Sequence, residues 1–346
     1  MKILFFSDLH AHQFSEFAYI NNNGINSRLQ YCLDIIDQIK IYAIENNIKY
    51  VCFAGDLFHT RPAVDTLTHN LTLKKIIELS NEIDRLIILP GNHDSYTKNT
   101  AYNSLKILES MENIELLDTH KWCTLSKNIS DSLNNDYIQI LSLEHTELVD
   151  GILEKVKDRY YLNILLSHND IVGSQTPAGY IFEEGLDSKT LSDNFDFVFN
   201  GHIHKYQQFH HNVFNIGSLL HQDWGDKWQD KGFLVLDIET KKIDFIKTKY
   251  PEFREIDEND VDKYSGDCYN YYKINFNKAL KESDIKNIKE QFKFCVINYK
   301  LQNENKKRTN IDLDMSWDKI LKTYVKNSKT ELDKKVLLSK GMGIMK

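Results

Sequence analysis

At 346 residues, with 41% hydrophobic and 12% aromatic content, the chain is long enough for one large packed domain plus a small one, and disorder is not the default reading. A net charge of −7 argues against a uniformly basic nucleic-acid binder. Five scattered cysteines, odd in number and without a C-x-x-C pair, argue against a disulfide framework or a cysteine zinc site and fit a reducing compartment.

The first element is a short buried strand over 2–6 that meets Ser7-Asp8-Leu9-His10. Its apolar run is too short for a signal peptide, and no later stretch approaches a membrane span, so a soluble, cytoplasmic protein is expected. A polar loop with Asn21-Asn22-Asn23-Gly24 leads to an amphipathic helix over 28–46, marked by Leu29, Cys32, Leu33, Ile36, Ile39 and Ala43. A strand over 50–54 runs into Gly55-Asp56. A second helix is expected over 64–82, then a strand over 85–89 that ends in Pro90-Gly91-Asn92-His93-Asp94. This βαβαβ order implies parallel strands with right-handed crossovers.

Further along, the pattern predicts a helix over 102–110, strands over 114–117, 137–143, 162–167 and 195–199, and a helix over 148–160. The last two of these strands end in His168 and in Gly201-His202-Ile203-His204. Short strands at 206–209, 213–215, 232–238 and 242–247, spaced like hairpins, suggest an antiparallel second half. The acidic stretch 251–266 is the best linker or boundary candidate. Beyond it, 269–276, 282–292 and 294–299 read as a small β-α-β unit. A basic loop over 303–310, with Lys306-Lys307-Arg308, precedes a helix over 316–326 and a second short helix around Val336-Leu337-Leu338. Beyond residue 302, 11 Lys and Arg face 6 Asp and Glu. The expected division is 1–250, 251–302 and 303–346.

Five polar clusters therefore follow apolar strands: Asp8-Leu9-His10, Gly55-Asp56, Gly91-Asn92-His93-Asp94, His168 and Gly201-His202-Ile203-His204. In α/β sheets, ligands bind beyond the C-terminal strand ends, so all five can converge. Carboxylate, amide and imidazole donors together suit Mn²⁺, Fe or Zn²⁺ better than Ca²⁺ or Mg²⁺. Singly, each has a plain structural reading: an exposed turn, a helix cap, a polar loop or a structural histidine. Five in order, each at a strand end, are not expected by coincidence.

Over 1–237 the chain resembles the calcineurin-like metallophosphoesterases, whose pattern is D-x-H, G-D, G-N-H-D, a lone His and G-H-x-H. The resemblance implies an α/β fold, a four-layer α-β-β-α sandwich, here with a small α+β C-terminal appendage. It implies two divalent metal ions, most simply Mn²⁺, with Fe or Zn²⁺ as alternatives. Asp8, His10 and His204 would bind the first ion, Asn92, His168 and His202 the second, and Asp56 would bridge them. His93 would act near the leaving group, held by Asp94.

Within the family, Gly55-Asp56-Leu57-Phe58-His59-Thr60-Arg61-Pro62 is similar to a segment of SbcD-type nucleases, which work with an SMC-like ATPase on DNA ends in repair and recombination. That likeness implies exonuclease or endonuclease action on double-stranded ends, with His59 placing the phosphodiester; a helix cap is its alternative role. It also implies a capping domain from about residue 269, a C-terminal tail that docks on the ATPase, room for a homodimer, and the host cytoplasm for a phage-encoded chain. Other members act on small phosphodiesters, dinucleotides or phosphoproteins, and some are noncatalytic scaffolds. The scaffold reading is disfavoured because every chemistry-bearing position is filled. Departures are Ala11-His12 in place of Leu-Gly, a loop over 13–27 carrying Phe14, Phe17 and Tyr19, and the segment 221–230. Trp224 and Trp228 in that segment could stack on bases or simply pack. Tyr269, Tyr271 and Tyr272 read as packing residues.

Overall fold

The computed structural model describes residues 1–61, 63–97, 102–117, 122–126, 137–143, 145, 161–300, 316–330 and 332–344. The first sheet contains β1 (Lys2–Phe6), β2 (Tyr50–Ala54), β3 (Arg85–Leu89), β4 (Ile114–Leu116), β11 (Gly232–Asp237) and β12 (Ile243–Lys247). They lie side by side in the order β12-β11-β1-β2-β3-β4. β1 to β4 run parallel, β11 pairs antiparallel with β1, and β12 pairs antiparallel with β11. Helices α1 (Ser27–Glu45) and α2 (Thr66–Ser80) make the crossovers. Each starts on a side-chain cap: Asn26 Oδ1 accepts from the N–H of Arg28 and Leu29, and Asp65 accepts from Thr68.

The second sheet contains β5 (Trp122–Ser126), β6 (Tyr137–Leu143), β7 (Tyr161–Ser167), β8 (Phe197–Asn200), β9 (Gln207–His210) and β10 (Val213–Asn215), with α3 (Ser188–Asn194) on its outer face. Its order is β5-β6-β7-β8-β10-β9. Strand alternation sorts the core into layers. Leu4, Phe6, Val51, Phe53, Leu86 and Ile88 face the α1–α2 side. Ile3, Phe5, Cys52, Ala54, Ile87 and Leu89 face the second sheet, where Phe5 stacks on Phe199 with centroids 3.7 Å apart. This is the expected α-β-β-α sandwich.

The strands at hairpin spacing pair antiparallel as expected, β9 with β10 and β11 with β12, while β6, β7, β8 and β10 run parallel. Two expectations need correction. Over 102–110 the only helix is a 3₁₀ turn at Lys106–Ser110. Its first residues instead pair with the preceding chain, through a Ser95–Asn103 bridge and hydrogen bonds from Tyr96 N to Tyr102 O and from Ser104 N to Asp94 O. The stretch 251–266 is not a linker, because it supplies β13 (Phe253–Asp257), which pairs parallel with β14 (Tyr271–Phe276). The strand β5 has no counterpart among the elements expected from sequence. The helix expected over 148–160 and the basic run Lys306-Lys307-Arg308 lie outside the described residues.

β14, α4 (Glu282–Gln291) and β15 (Cys295–Tyr299) form the expected β-α-β unit, with its own core of Ile256, Tyr272, Ile274, Phe276, Ile288 and Phe292. An aromatic seam joins it to the sandwich. Phe17 stacks on Tyr271 at 5.2 Å and meets Trp224 edge-on at 5.8 Å, and Trp224 packs on Phe253 at 4.9 Å. The unusual loop over 13–27 and Trp224 are thus packing elements, whereas Trp228 is 72% exposed. Helices α5 (Trp317–Asn327) and α6 (Lys334–Ile344) form a hairpin. No helix among the described residues is long and apolar enough to cross a membrane.

Candidate metal centre

The strand ends of both sheets meet at one edge of the sandwich. The turns that follow them are tight: Asp8 (φ 52°), His10 (φ 50°), Asp56 (φ 62°) and His202 (φ 83°) all occupy the left-handed region. Such conformations cost non-glycine residues about 1–3 kcal/mol each and persist only where surrounding contacts impose them. Glycine is needed where the turns touch. A Cβ on Gly91 would lie 2.2 Å from Asp56 Oδ1, and one on Gly55 would lie 2.4 Å from His168 Nδ1.

Among the described residues three groups of ligand-type atoms result: Asp8 with His10 and His204, Asp56 with His168 and His202, and, sharing His202 with the second, His145 with Asp170. In the first, His10 Nε2 lies 3.0 Å from His204 Nε2 and 3.8 Å from Asp8 Oδ1. In the second, Asn92 Oδ1 lies 3.0 Å from both His168 Nε2 and His202 Nδ1. Asp56 Oδ2 lies 3.2 Å from His168 Nε2 and 3.6 Å from His10 Nε2, so it touches both groups. All seven positions read from the sequence as ligands are brought together.

Outer contacts fix these side chains. His168 Nδ1–H donates to the Ala54 carbonyl at 2.7 Å, which turns Nε2 toward Asp56 and Asn92. His202 Nε2 faces Asp170 Oδ1 at 3.2 Å. The buried Lys231 Nζ donates to the His204 carbonyl at 2.7 Å and pairs with Asp226. Burial alone would raise Asp8 and Asp56, but the neighbouring imidazoles bring both carboxyls below their ordinary range. Burial opposes protonation of His168, yet the Asp56 charge pushes it up to about 9. His204 goes the other way, down to about 4, through burial and the charge of His10. Compact, buried nitrogen and oxygen donors around negative carboxylates fit divalent transition metals.

His93 sits beside both groups, its ring 5.0 Å from that of His10. Here one expectation is overturned: Asp94 does not hold the His93 ring. Its carboxylate accepts main-chain N–H groups from Gly91 and Asp56 at 2.9 Å, Leu57 at 3.0 Å and Phe58 at 3.1 Å. Burial and the nearby Asp56 charge raise the Asp94 carboxyl to about 6. The His93 ring is held instead by the His59 carbonyl, 2.5 Å from Nδ1. The His59 ring lies against His12 and Phe14, at 5.2 and 5.0 Å.

The sequence reading missed three neighbours of the centre. His145 follows β6 and places its ring 4.7 Å from that of His202; it too follows an apolar strand, which was the available signal. Asp170, two residues after His168, mirrors the Asp8-His10 spacing. Lys231 had no signal, because its role depends on a carbonyl 27 residues away.

A two-sheet sandwich with two histidine–carboxylate groups on the C-terminal strand edge, joined by one shared aspartate, defines a metal-dependent phosphoesterase. The calcineurin-like phosphoesterase profile matches residues 1–206, and the chain belongs to that family. Among curated relatives it is similar to exonuclease subunit 1 of Enterobacteria phage T4, 26% identical over 262 residues, which cover 74% of this chain and 70% of the relative. It is 23% identical over 251 residues to a putative phosphoesterase 244L of Invertebrate iridescent virus 6, covering 68% and 75%. The nuclease component of SbcCD from Staphylococcus epidermidis is 27% identical over 232 residues, covering 60% of each chain.

Proposed function

We propose that this phosphoester hydrolase is the DNA nuclease component of an SbcCD-type complex, using two Mn²⁺ ions. The observation that carries the two-metal reading is Asp56, whose one carboxylate oxygen reaches a histidine of each group. Asp8, His10 and His204 would hold one cation, Asn92, His168 and His202 the other, with Asp56 between them. Bound there, the pair would activate water and polarise a phosphate.

The chain's own groups do the rest. His93, with Nδ1–H donated to the His59 carbonyl, keeps Nε2 free of that contact, and in the imidazolium form Nε2–H would give a proton or a hydrogen bond to the departing oxygen. The turns around Gly55 and Gly91 hold the donors rigidly, so little reorganisation accompanies substrate binding. The nuclease names of the phage and staphylococcal relatives support DNA as substrate and a partner subunit. The α5–α6 hairpin exposes Tyr324, Leu332 and Val336, a face suited to an ATPase partner in the cytoplasm.

The test uses the full Mn²⁺-loaded chain on linear double-stranded DNA. Nucleotide release that falls by roughly 10²- to 10⁴-fold in His93→Ala, with fold and metal content retained, is expected. Hydrolysis of a generic phosphodiester without any DNA cleavage would sink the nuclease reading.

A further inference from the structure

A cavity of about 580 Å³ opens beside the turn that carries Asp94, within the range of roughly 300–1,000 Å³ typical of small-molecule sites. One wall is the ribbon formed where Ser95 bridges Asn103. Tyr96 and Tyr102 come next on its two strands, and a hydrogen bond from Tyr96 N to Tyr102 O at 3.0 Å sets them opposite each other. Both rings are open to solvent, 61% and 77% exposed. The other wall is the first turns of α2, where Thr66, His69 and Asn70 share one face at i, i+3 and i+4. That wall is fixed, because His69 Nε2 bonds the Ser104 carbonyl at 3.1 Å and its ring stacks on Phe58.

The chemistry around the cavity narrows what it can receive. Asp94 is part of its lining, and its carboxylate accepts the Asp56 N–H at 2.9 Å, so the pocket lies against the turn that carries Asp56. Arg61 also lines it and brings a positive charge to its wall. The occupant thus has an aromatic or flat face for the tyrosines, polar edges for Asn70 and Thr66, and a phosphate directed to the centre. A nucleobase meets all three requirements.

We propose that this cavity receives the nucleobase adjoining the scissile phosphate, stacked on Tyr96 and Tyr102, so that the substrate strand is unpaired at that nucleotide. A base still paired within a duplex cannot enter a pocket walled on two sides, so cleavage follows fraying or acts on single strands. This inference rests on the DNA nuclease reading above.

The decisive experiment walks a single abasic residue along an oligonucleotide and maps cleavage by the Mn²⁺-loaded full chain. The wild type should lose roughly 5- to 150-fold in rate when the abasic residue occupies one fixed nucleotide next to the cut, the range expected for one stacked base. The Y96A/Y102A double variant should cleave intact and abasic strands at equal rates. Wild-type cleavage that is indifferent to the abasic position would overturn the inference and leave the nuclease reading standing. A double variant that keeps the position-specific loss would overturn it too. If no oligonucleotide is cut while methyl p-nitrophenyl phosphate is hydrolysed, the nuclease reading itself has failed. The wild-type abasic walk is sufficient on its own should the variant not fold.

Discussion

The Asp94 carboxylate accepts the main-chain N–H of Asp56 at 2.9 Å. With the bonds from Gly91, Leu57 and Phe58, it staples the turn after β3 to the turn after β2. Asp94→Ala would leave four buried donors without a partner, at about 1–3 kcal/mol for each that stays unsatisfied. We expect a loss of about 3–5 kcal/mol in chemical denaturation, with reduced metal content in the folded fraction. Unchanged stability would mean that water replaces the carboxylate and that the staple is dispensable.

This staple also shows where sequence reading stops. The ligand positions were legible because each follows an apolar run that could only be a buried strand, and buried parallel strands deliver their ends to one edge. Asp94 is misread because its role came from the resemblance, and which donors a carboxylate meets depends on how two turns pack, here main-chain N–H groups of both. Hairpin spacing made the antiparallel pairs β9–β10 and β11–β12 legible, but the parallel run of β6, β7 and β8, whose strands are separated by long connections, carries no such signal. The aromatic seam was illegible for another reason. Phe17, Trp224, Phe253 and Tyr271 come from separate segments and share no periodicity. Likewise Leu105 and Leu108 have helical spacing, but main-chain pairing with 94–96 takes the residues just before them.

Among the described residues, Asp56 is the carboxylate that meets histidine rings of both ligand groups. Asp56→Ala should therefore lower bound metal from two ions per chain to none at micromolar metal, as read by elemental analysis after desalting. Retention of one ion would show that the two groups bind independently.

His93 meets Asp56 through its main-chain N–H, which donates to Asp56 Oδ1 at 2.7 Å. His93→Ala keeps that bond. It should lower turnover by roughly 10²- to 10⁴-fold, the usual contribution of a general acid, while both metals and the unfolding midpoint are preserved. A parallel loss of metal would instead make the ring part of the ligand shell.

Phe17 bridges the sandwich and the small domain, stacked on Tyr271 and edge-on to Trp224. Its ring is half-buried, so Phe17→Ala should cost about 1–2 kcal/mol. The loss should appear as faster hydrogen exchange in β13 and β14 than in β1 to β3. Equal acceleration in all these strands would mean that the seam is not a separable interface.

Asp267 anchors the small domain at its own edge. Its carboxylate accepts from the Tyr272 hydroxyl at 2.7 Å, Asn270 Nδ2 at 2.8 Å and the Tyr269 N–H at 2.7 Å. Burial works against the charged form, but these bonds prevail and draw the carboxyl down from 3.8 to about 2. A carboxyl depressed in the folded state adds stability that is complete above its unfolded pKa and disappears as pH falls through the folded one. The small domain should therefore weaken between about pH 4 and pH 2, by on the order of 1 kcal/mol once the partial exposure of Asp267 is allowed for. Asp267→Asn should remove that share of the acid dependence and lower stability at neutral pH, where the charged acceptor is lost. Denaturation curves of wild type and variant at pH 2, 4 and 7 test this, and a constant difference across the three values would exclude Asp267 as the titrating group.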